Sequence, residues 1–199
     1  RSGRAKRVIV GGYDALCQLV FCGFDALQAL SPSGIPRPFD AERDGLALGE
    51  GAGFLVLEER EAAVSRGVKC IAQLDAYAAA TDIHHLTQPH PMGETALSTM
   101  RAACAMAQVT PSEIDYINSH GTGTPLNDVA EANAIATWAG DDVGGRCVSS
   151  TKSATGHLLG GAGAVEAVIC LAAMRDQFLP ASLNVRTIDA ARSEERRVG

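Results

Sequence analysis

The sequence has few aromatic residues, only three lysines and no long apolar run that is free of charge. Aromatic side chains make up 5% of its 199 residues, whereas 46% are hydrophobic and 21 are glycine. This composition favours a tightly packed α/β protein. The most apolar segment, 156–174, carries Glu166 in its middle, and a lone carboxylate at the centre of a bilayer is costly. We therefore predict a core helix there and no interaction with a membrane.

Basic residues are scarce between the two ends of the chain. Without residues 1–7 and 191–199, the sequence keeps 10 basic and 21 acidic residues, a net charge of −11. A surface this acidic repels a phosphate backbone, so we predict no nucleic-acid partner. The first residues also lack the pattern of a secretory signal peptide, and we expect a cytoplasmic protein.

The six cysteines show no Cys-x-x-Cys pair and no regular spacing. Disulfide frameworks are typical of much smaller secreted chains. We therefore expect these cysteines to be reduced and buried. They occupy positions 17, 22, 70, 104, 147 and 170.

The run Gly-Glu-Gly-Ala-Gly at 49–53 does not indicate a nucleotide site. A dinucleotide-binding loop follows a strand and opens a helix, whereas this run precedes a predicted strand. Glu50 would also repel a phosphate. We expect the glycines to permit a tight turn and the close approach of another backbone.

Strand and helix patterns alternate along the chain, which predicts an α/β architecture. Strands are predicted at 7–12, 53–58 (buried), 70–78, 114–118 and 148–150, and helices at 16–30, 59–66, 95–108, from 125 onward and at 156–175. Residues 31–45 and 81–94 are loops by composition. Thr124 is the predicted N-cap of the helix that begins with Pro125.

Two short motifs carry most of the predicted chemistry, Asn-Ser-His-Gly-Thr-Gly-Thr-Pro at 118–125 and Ser-Thr-Lys-Ser-Ala-Thr-Gly-His at 150–157. Each follows a predicted strand, so both should lie at the carboxyl edge of a sheet, where α/β folds build their sites. His120 should be accessible. His157 is predicted in the first turn of the long helix, whose dipole favours a neutral imidazole. Such an imidazole can donate a hydrogen bond to a carbonyl or an enolate.

Two charged residues accompany these motifs. Lys152 lies just before the predicted long helix, and Glu166 lies well inside it. The two side chains can meet only if a further turn brings them together. On these residues alone, the site has no assigned reaction.

Four stretches resemble the signature segments of the β-ketoacyl-acyl carrier protein synthases. Two of them are the motifs above, the second extended to residue 166. The others are Arg-Pro-Phe-Asp at 37–40 with the run at 43–53, and Gly-Gly-Tyr-Asp-Ala at 11–15. The resemblance extends from about residue 5 to residue 188, and the lysine segment is similar to the discrete, synthase-II-like enzymes.

The resemblance implies the thiolase-like fold, a layered α/β/α/β/α arrangement that is incomplete in this chain. Residues 1–70 would be the end of the N-terminal half and residues 71–190 most of the C-terminal half. Residues 191–199 do not resemble the family, and we interpret them as a non-native tail.

The segment that carries the family's nucleophile is not recognisable here. None of the six cysteines lies in the Thr/Ala-Cys-Ser-Ser context of that nucleophile, and the family's Gly-Phe-Gly-Gly loop is also missing. We therefore expect a fragment that alone does not condense acyl groups. We also expect its exposed apolar surface to make it prone to aggregate.

The resemblance implies a reaction, the decarboxylative Claisen condensation of malonyl-acyl carrier protein with an acyl thioester. His120, His157 and Lys152 match the family's catalytic residues, and Glu166 matches a supporting glutamate. Substrates would be carried on the 4'-phosphopantetheine arm of acyl carrier protein, with no tightly bound cofactor. The residues that match the pantetheine-binding positions are Thr122 and Thr124.

A loop beside the active-site entrance is implied by Asp82, His85 and Thr87. The run His-His-Leu at 84–86 departs from the usual form of this loop. A metal site formed by the three histidines of residues 81–94 is an alternative, but no closed ligand set accompanies them, and we predict no metal.

Three function classes stay open. The favoured one is a condensing enzyme of fatty acid or polyene/polyketide biosynthesis, with acyl carrier protein as partner and a homodimer or ketosynthase heterodimer as its assembly. The second is a non-catalytic partner that resembles a chain-length factor, and its retained histidines and lysine argue against it. The third is a thiolase-fold enzyme that uses free coenzyme A, which the 150–157 motif disfavours.

Overall fold

The computed structural model describes residues 5–140 and 147–189 and the backbone of residues 196–197. The strands are β1 (Arg7–Asp14), β2 (Gly51–Glu58), β3 (Tyr116–Asn118), β4 (Cys147–Ser149) and β5 (Arg196–Arg197). The helices are α1 (Gln18–Ala26), α2 (Arg60–Ser65), α3 (Glu94–Ala107), α4 (Pro125–Ala139), α5 (Lys152–Thr155) and α6 (Ala162–Asp176). The predicted strand at 7–12 and the predicted helices at 59–66 and 95–108 are confirmed within two residues.

β1 and β2 form a two-stranded antiparallel sheet in which Gly12 lies opposite Gly53. Helix α6 packs against this sheet. A Cβ atom on Gly53 would lie 2.8 Å from the carbonyl carbon of Ala164, closer than side chains approach a backbone. The glycine run at 49–53 therefore permits the close backbone approach that the sequence predicts.

The second sheet positions the two motifs. β3 and β4 pair in parallel, with Asn118 opposite Ser149, and the backbone of β5 pairs in parallel with β4. Parallel strands end at the same edge of a sheet, so the turns that follow β3 and β4 lie side by side. The predicted placement of both motifs at one sheet edge is confirmed.

Helix α4 supplies a large part of the described core and begins at Pro125, directly after Thr124, as predicted. Helix α3 packs against it, and Gly93 permits this because a Cβ atom there would lie 2.1 Å from the carbonyl oxygen of Ala130. The buried apolar residues of α4 are Ala130, Ala132, Ala134, Ile135, Trp138 and Ala139.

The predicted helix at 156–175 is wrong at its start, because α6 begins only at Ala162. Gly156 ends α5 with a φ of 71°, a left-handed conformation that turns the chain and that glycine adopts without strain. His157 therefore lies between α5 and α6 and not in the first turn of the long helix.

The predicted strand at 70–78 is also wrong, since neither described sheet includes this segment. Its apolar side chains Ile71 and Tyr77 are largely exposed. An alternating pattern predicts the two faces of a strand, but a strand forms only where a neighbour completes its hydrogen bonds.

Burial differs from the prediction in two places. Strand β2 is not buried, because Phe54 is 61% and Val56 68% exposed. Cys17, Cys22 and Cys70 are exposed, and the other three free cysteines are only half-buried. Large exposed apolar side chains recur across the described residues, which agrees with the expected apolar surface.

Among the described helices, none is long and apolar enough to cross a membrane. The predicted tail at 191–199 lies outside the described residues apart from the backbone of residues 196–197.

Candidate functional site

The structure brings the three residues predicted to be catalytic together at one sheet edge. His120 follows β3, Lys152 begins α5 directly after β4, and His157 follows α5. The two imidazole rings meet edge to face, with centroids 5.2 Å apart. Two parallel strands and one left-handed turn at Gly156 thus place the site.

Lys152 is buried and paired. Its side chain is 2% exposed, and its Nζ donates a hydrogen bond to Oε1 of Glu166 on α6. The turn at residues 156–161 lies between α5 and α6 and brings Glu166 within hydrogen-bond distance of Lys152. The Lys152–Glu166 contact, which we predicted only if a further turn brought the two side chains together, is confirmed.

Both histidines are neutral at physiological pH. His120 is an exposed residue, as predicted, but desolvation by the atoms around its ring lowers its pKa to about 4, and repulsion from Lys152 and His157 adds to this effect. Burial also lowers the pKa of His157 to about 4, with Lys152 as the second cause. The predicted neutrality of His157 is thus present, but its predicted cause, the dipole of the long helix, is wrong.

The tautomer of His157 follows from its neighbours. Its Nδ1 accepts a hydrogen bond from the Leu159 N–H at 3.1 Å, so the neutral ring carries its proton on Nε2. Its backbone N–H donates to the Ala47 carbonyl at 2.7 Å, and its carbonyl accepts from the Gly49 N–H at 3.0 Å. The fixed ring therefore offers an Nε2–H donor.

Glu131 belongs to the site, and sequence reasoning missed it. Its carboxylate on α4 accepts the backbone N–H groups of His120 at 2.6 Å and of Gly121 at 2.7 Å. Burial raises its pKa to about 7, against the lowering effect of these two hydrogen bonds. The available signal was helical spacing, because a helix that begins at Pro125 places residues 128, 131 and 135 on one face.

Asp128 is a second missed residue and holds the Gly-Thr-Gly-Thr turn. Its carboxylate is fully buried and accepts the N–H groups of Phe39 at 2.7 Å and Gly123 at 3.2 Å. Arg43 Nε lies 4.0 Å from the same carboxylate. Burial raises the pKa of Asp128. Asp128 therefore links the turn after β3 to the loop at 37–45.

The two threonines predicted to bind pantetheine lie on the turn that Asp128 holds. Thr122 is buried and Thr124 half-buried, and their hydroxyl oxygens are 2.9 Å apart. Thr124 occupies the N-cap position of α4 without a side-chain capping bond. Its hydroxyl is therefore not committed to the helix.

Asp82 closes the predicted entrance loop. Its carboxylate accepts the backbone N–H groups of His84 and His90, both at 2.9 Å. Asp82, Glu131 and His120 line the same open cavity of about 710 Å³ between α3, β3 and α4. His85 and Thr87 bond to each other on the exposed part of this loop and do not line the cavity.

The alternative metal site finds no support in the described part of the chain. The rings of His84 and His90 contact each other with centroids 4.9 Å apart. Within residues 5–140 and 147–189, however, no three His, Cys, Asp or Glu side chains lie close enough to hold a metal ion.

Comparison with known protein families gives two adjacent matches. The family described as "Beta-ketoacyl synthase, N-terminal domain" matches residues 1–63, and "Beta-ketoacyl synthase, C-terminal domain" matches residues 71–186. Among curated relatives, the 3-oxoacyl-[acyl-carrier-protein] synthase 2 of Synechocystis sp. is 42% identical over 195 residues, which are 95% of this chain and 47% of the relative. The chain thus spans about half the length of the curated relatives that it matches.

Two solved structures have a similar fold. One is a type II PKS acyl-carrier protein in complex with its ketosynthase bound to the hexaketide, with a TM-score of 0.95, 35% identity, and coverage of 100% of this chain and 50% of that chain. The other is the ishigamide ketosynthase/chain length factor, with a TM-score of 0.92, 36% identity, and coverage of 99% and 47%.

Proposed function

Because the chain belongs to the β-ketoacyl synthase family and has its thiolase-like α/β fold, we propose that it carries the decarboxylation half of a condensing site. The observation that supports this is the pair of neutral histidines, with ring centroids 5.2 Å apart, beside the buried Lys152. Two neighbouring neutral imidazoles can donate hydrogen bonds to a carbonyl whose oxygen becomes negative during the reaction.

The proposed chemistry starts from a malonyl thioester. The bond between its α-carbon and its carboxylate breaks, carbon dioxide leaves, and the electron pair forms an enolate of the thioester. His157 donates its Nε2–H to the thioester oxygen, and His120 assists from the adjacent position. The enolate carbon then attacks an acyl thioester, a carbon–carbon bond forms, and the thiolate of that thioester leaves.

Lys152 and Glu166 set the electrostatic environment of the two histidines. Burial first, and the Lys152 charge second, lower the pKa of both histidines, which keeps them neutral as hydrogen-bond donors. Glu166 neutralises that charge, because an unpaired buried ammonium group is costly.

The proposed substrates are thioesters on the 4'-phosphopantetheine arm of acyl carrier protein, in fatty acid or polyketide biosynthesis. Thr122 and Thr124 would bind the arm, and Asp82, His85 and Thr87 would flank its entrance. A solved ketosynthase complex with its acyl-carrier protein supports this partner, and the ketosynthase/chain length factor supports a heterodimer as one assembly. We retain residues 1–70 and 71–190 as the two half-domains.

We propose that the 199-residue chain alone does not condense acyl groups. Cys170 contacts Asn118 next to the site, with 3.7 Å between Sγ and Nδ2, but burial raises the pKa of its thiol, and a thiol is a weak nucleophile. Incubation with an acyl-acyl carrier protein should therefore give no acyl adduct by intact-mass measurement. An adduct on any of the six cysteines would contradict this proposal.

The central test is decarboxylation of malonyl-acyl carrier protein by the intact gene product. We expect His120→Ala or His157→Ala to lower this rate about 10²- to 10³-fold, the usual loss when one oxyanion donor is removed. His84→Ala, at an exposed loop histidine, is the matched control and should stay within about twofold of wild type. Equal losses in all three variants would refute the assignment.

A non-catalytic partner like a chain-length factor is the second candidate, supported by the similarity to the ketosynthase/chain length factor structure. The same assay separates the two. A gene product that binds a ketosynthase but neither decarboxylates malonyl-acyl carrier protein nor accepts an acyl group would be the partner subunit.

A further inference from the structure

Five buried serines lie in and around the two turns that carry the histidines and Lys152. Each of these serines is at most 6% exposed, and each bonds to backbone outside its own residue. None of them has a role in the reaction proposed above. They are Ser119, Ser149, Ser150, Ser153 and Ser182.

Ser150 makes the direct bridge between the turns. Its Oγ donates to the carbonyl of Gly121 at 2.7 Å, which is the residue after His120. Its own N–H donates to Oγ of Ser182 at 2.9 Å, so Ser150 is held from behind. Two residues further on, the same turn carries Lys152.

The Gly121 peptide groups are held from opposite sides. Glu131 accepts the Gly121 N–H at 2.7 Å, and Ser150 binds the Gly121 carbonyl. The approach is close, since a Cβ atom on Gly121 would lie 2.5 Å from Cβ of Ser150. Gly121 also has a φ of 37°, which other residues rarely adopt. The turn after β3 therefore has little freedom to move relative to the turn after β4.

We propose that Ser150 is a positioning residue that sets the separation of His120 from Lys152, with Ser182 as its support. This role rests on the function proposed for His120. Its main test, however, measures the protonation of the His120 imidazole directly and does not require catalytic turnover. Ser150 acts through Gly121.

The test is Ser150→Ala in the intact gene product, read by hydrogen–deuterium exchange at the C2 position of histidine. Trypsin then separates the two imidazoles, since peptide 102–146 contains only His120 and peptide 153–175 only His157. Without its tether, the His120 ring should move away from Lys152 and gain water. We expect its exchange midpoint to rise from about 4 by about one pH unit.

Turnover supplies the second readout. We expect malonyl decarboxylation by Ser150→Ala to fall about 10- to 100-fold, the scale of a misplacement near 1 Å, and its acid limb to move to higher pH. If wild type itself shows no decarboxylation, the proposed function fails. If wild type is active and the variant has wild-type rate and midpoint, the role of Ser150 fails.

Two further variants guard against a general loss of structure. Gly121→Ala pushes the same turn away from Ser150 from the other side and should raise the His120 midpoint in the same direction. Ser149→Ala is the matched control, because Ser149 is as buried as Ser150 but its hydroxyl bonds to the Pro180 carbonyl and the Tyr116 hydroxyl and not to Gly121. A shift with Ser149→Ala as large as that with Ser150→Ala would overturn the specific role.

Discussion

Replacing Lys152 with methionine should raise the pKa of both site histidines without restoring its ordinary value of 6.5. Burial is the first cause of each lowered pKa and persists in the variant, whereas the Lys152 charge is the second cause and is removed. The midpoints should therefore rise from about 4 to a value between 4 and 6.5. His157 is the cleaner probe, because His120 also feels His157.

The single variant leaves the carboxylate of Glu166 without its partner, and that negative charge would itself favour an imidazolium. Lys152→Met combined with Glu166→Gln removes both charges and isolates the effect of the lysine. The double variant should show a smaller rise than Lys152→Met alone. The difference between the two midpoints then measures what Glu166 contributes.

Histidine C2 exchange is the assay, since the tryptic peptides that carry His120 and His157 contain no other histidine in either the wild type or the variants. Lys69→Met is the matched control, because it replaces an exposed lysine by the same residue. Unchanged or lower midpoints in Lys152→Met, in a protein that keeps its circular dichroism, would refute the electrostatic account of the site.

Two more predictions concern stability, and denaturant unfolding of the intact gene product checks both. Glu131→Gln should steepen the fall of stability as pH decreases from 6.5 to 4.5, by about 1.4 kcal/mol per pH unit for one proton. Because the pKa of Glu131 is raised to about 7, its protonation stabilises the folded protein as pH falls from 7 towards 4.5. The two histidines, whose pKa values are lowered, destabilise the folded protein over the same range, so the two effects oppose each other. An unchanged slope would contradict this prediction. Glu166→Gln should cost about 3–5 kcal/mol, because it leaves buried Lys152 unpaired, and Lys152→Met/Glu166→Gln should recover part of this loss. A loss equal to that of an exposed carboxylate, such as Glu61→Gln, would count against a buried pair.

The sequence predicts the place of this site better than its internal geometry. Both motifs follow strands, and parallel strands bring them to one edge, so the meeting of His120 with Lys152 was predictable. The predicted start of the long helix failed at Gly156, because hydrophobic periodicity continues through a residue whose left-handed backbone breaks the helix. The explanation of the neutral His157 failed with it.

Glu131 and Asp128 were missed for a different reason. Both lie on a helix that leaves the site, and a polar residue there looks like an ordinary solvent-facing position. In the folded structure the turn after β3 packs against the start of α4, and the carboxylates of both residues accept backbone N–H groups of that turn. The sequence alone does not show this contact. Helical spacing from Pro125 could have grouped them on one face, but not identified that face as the inner one.

Backbone hydrogen bonds at the site connect the two predicted halves. His157 lies in the predicted second half, and its backbone is bonded on both sides to residues 47–49 of the predicted first half. The Asp14 carboxylate at the end of β1 accepts the Gly160 N–H at 3.1 Å, three residues after His157. Since these contacts hold the turn that carries the half-buried imidazole, we expect the lowered pKa of His157 to depend on residues 14 and 47–49. The glycine segment at 49–53 therefore contributes to the proposed site through packing, because it lets the chain before β2 lie against the turn that carries His157.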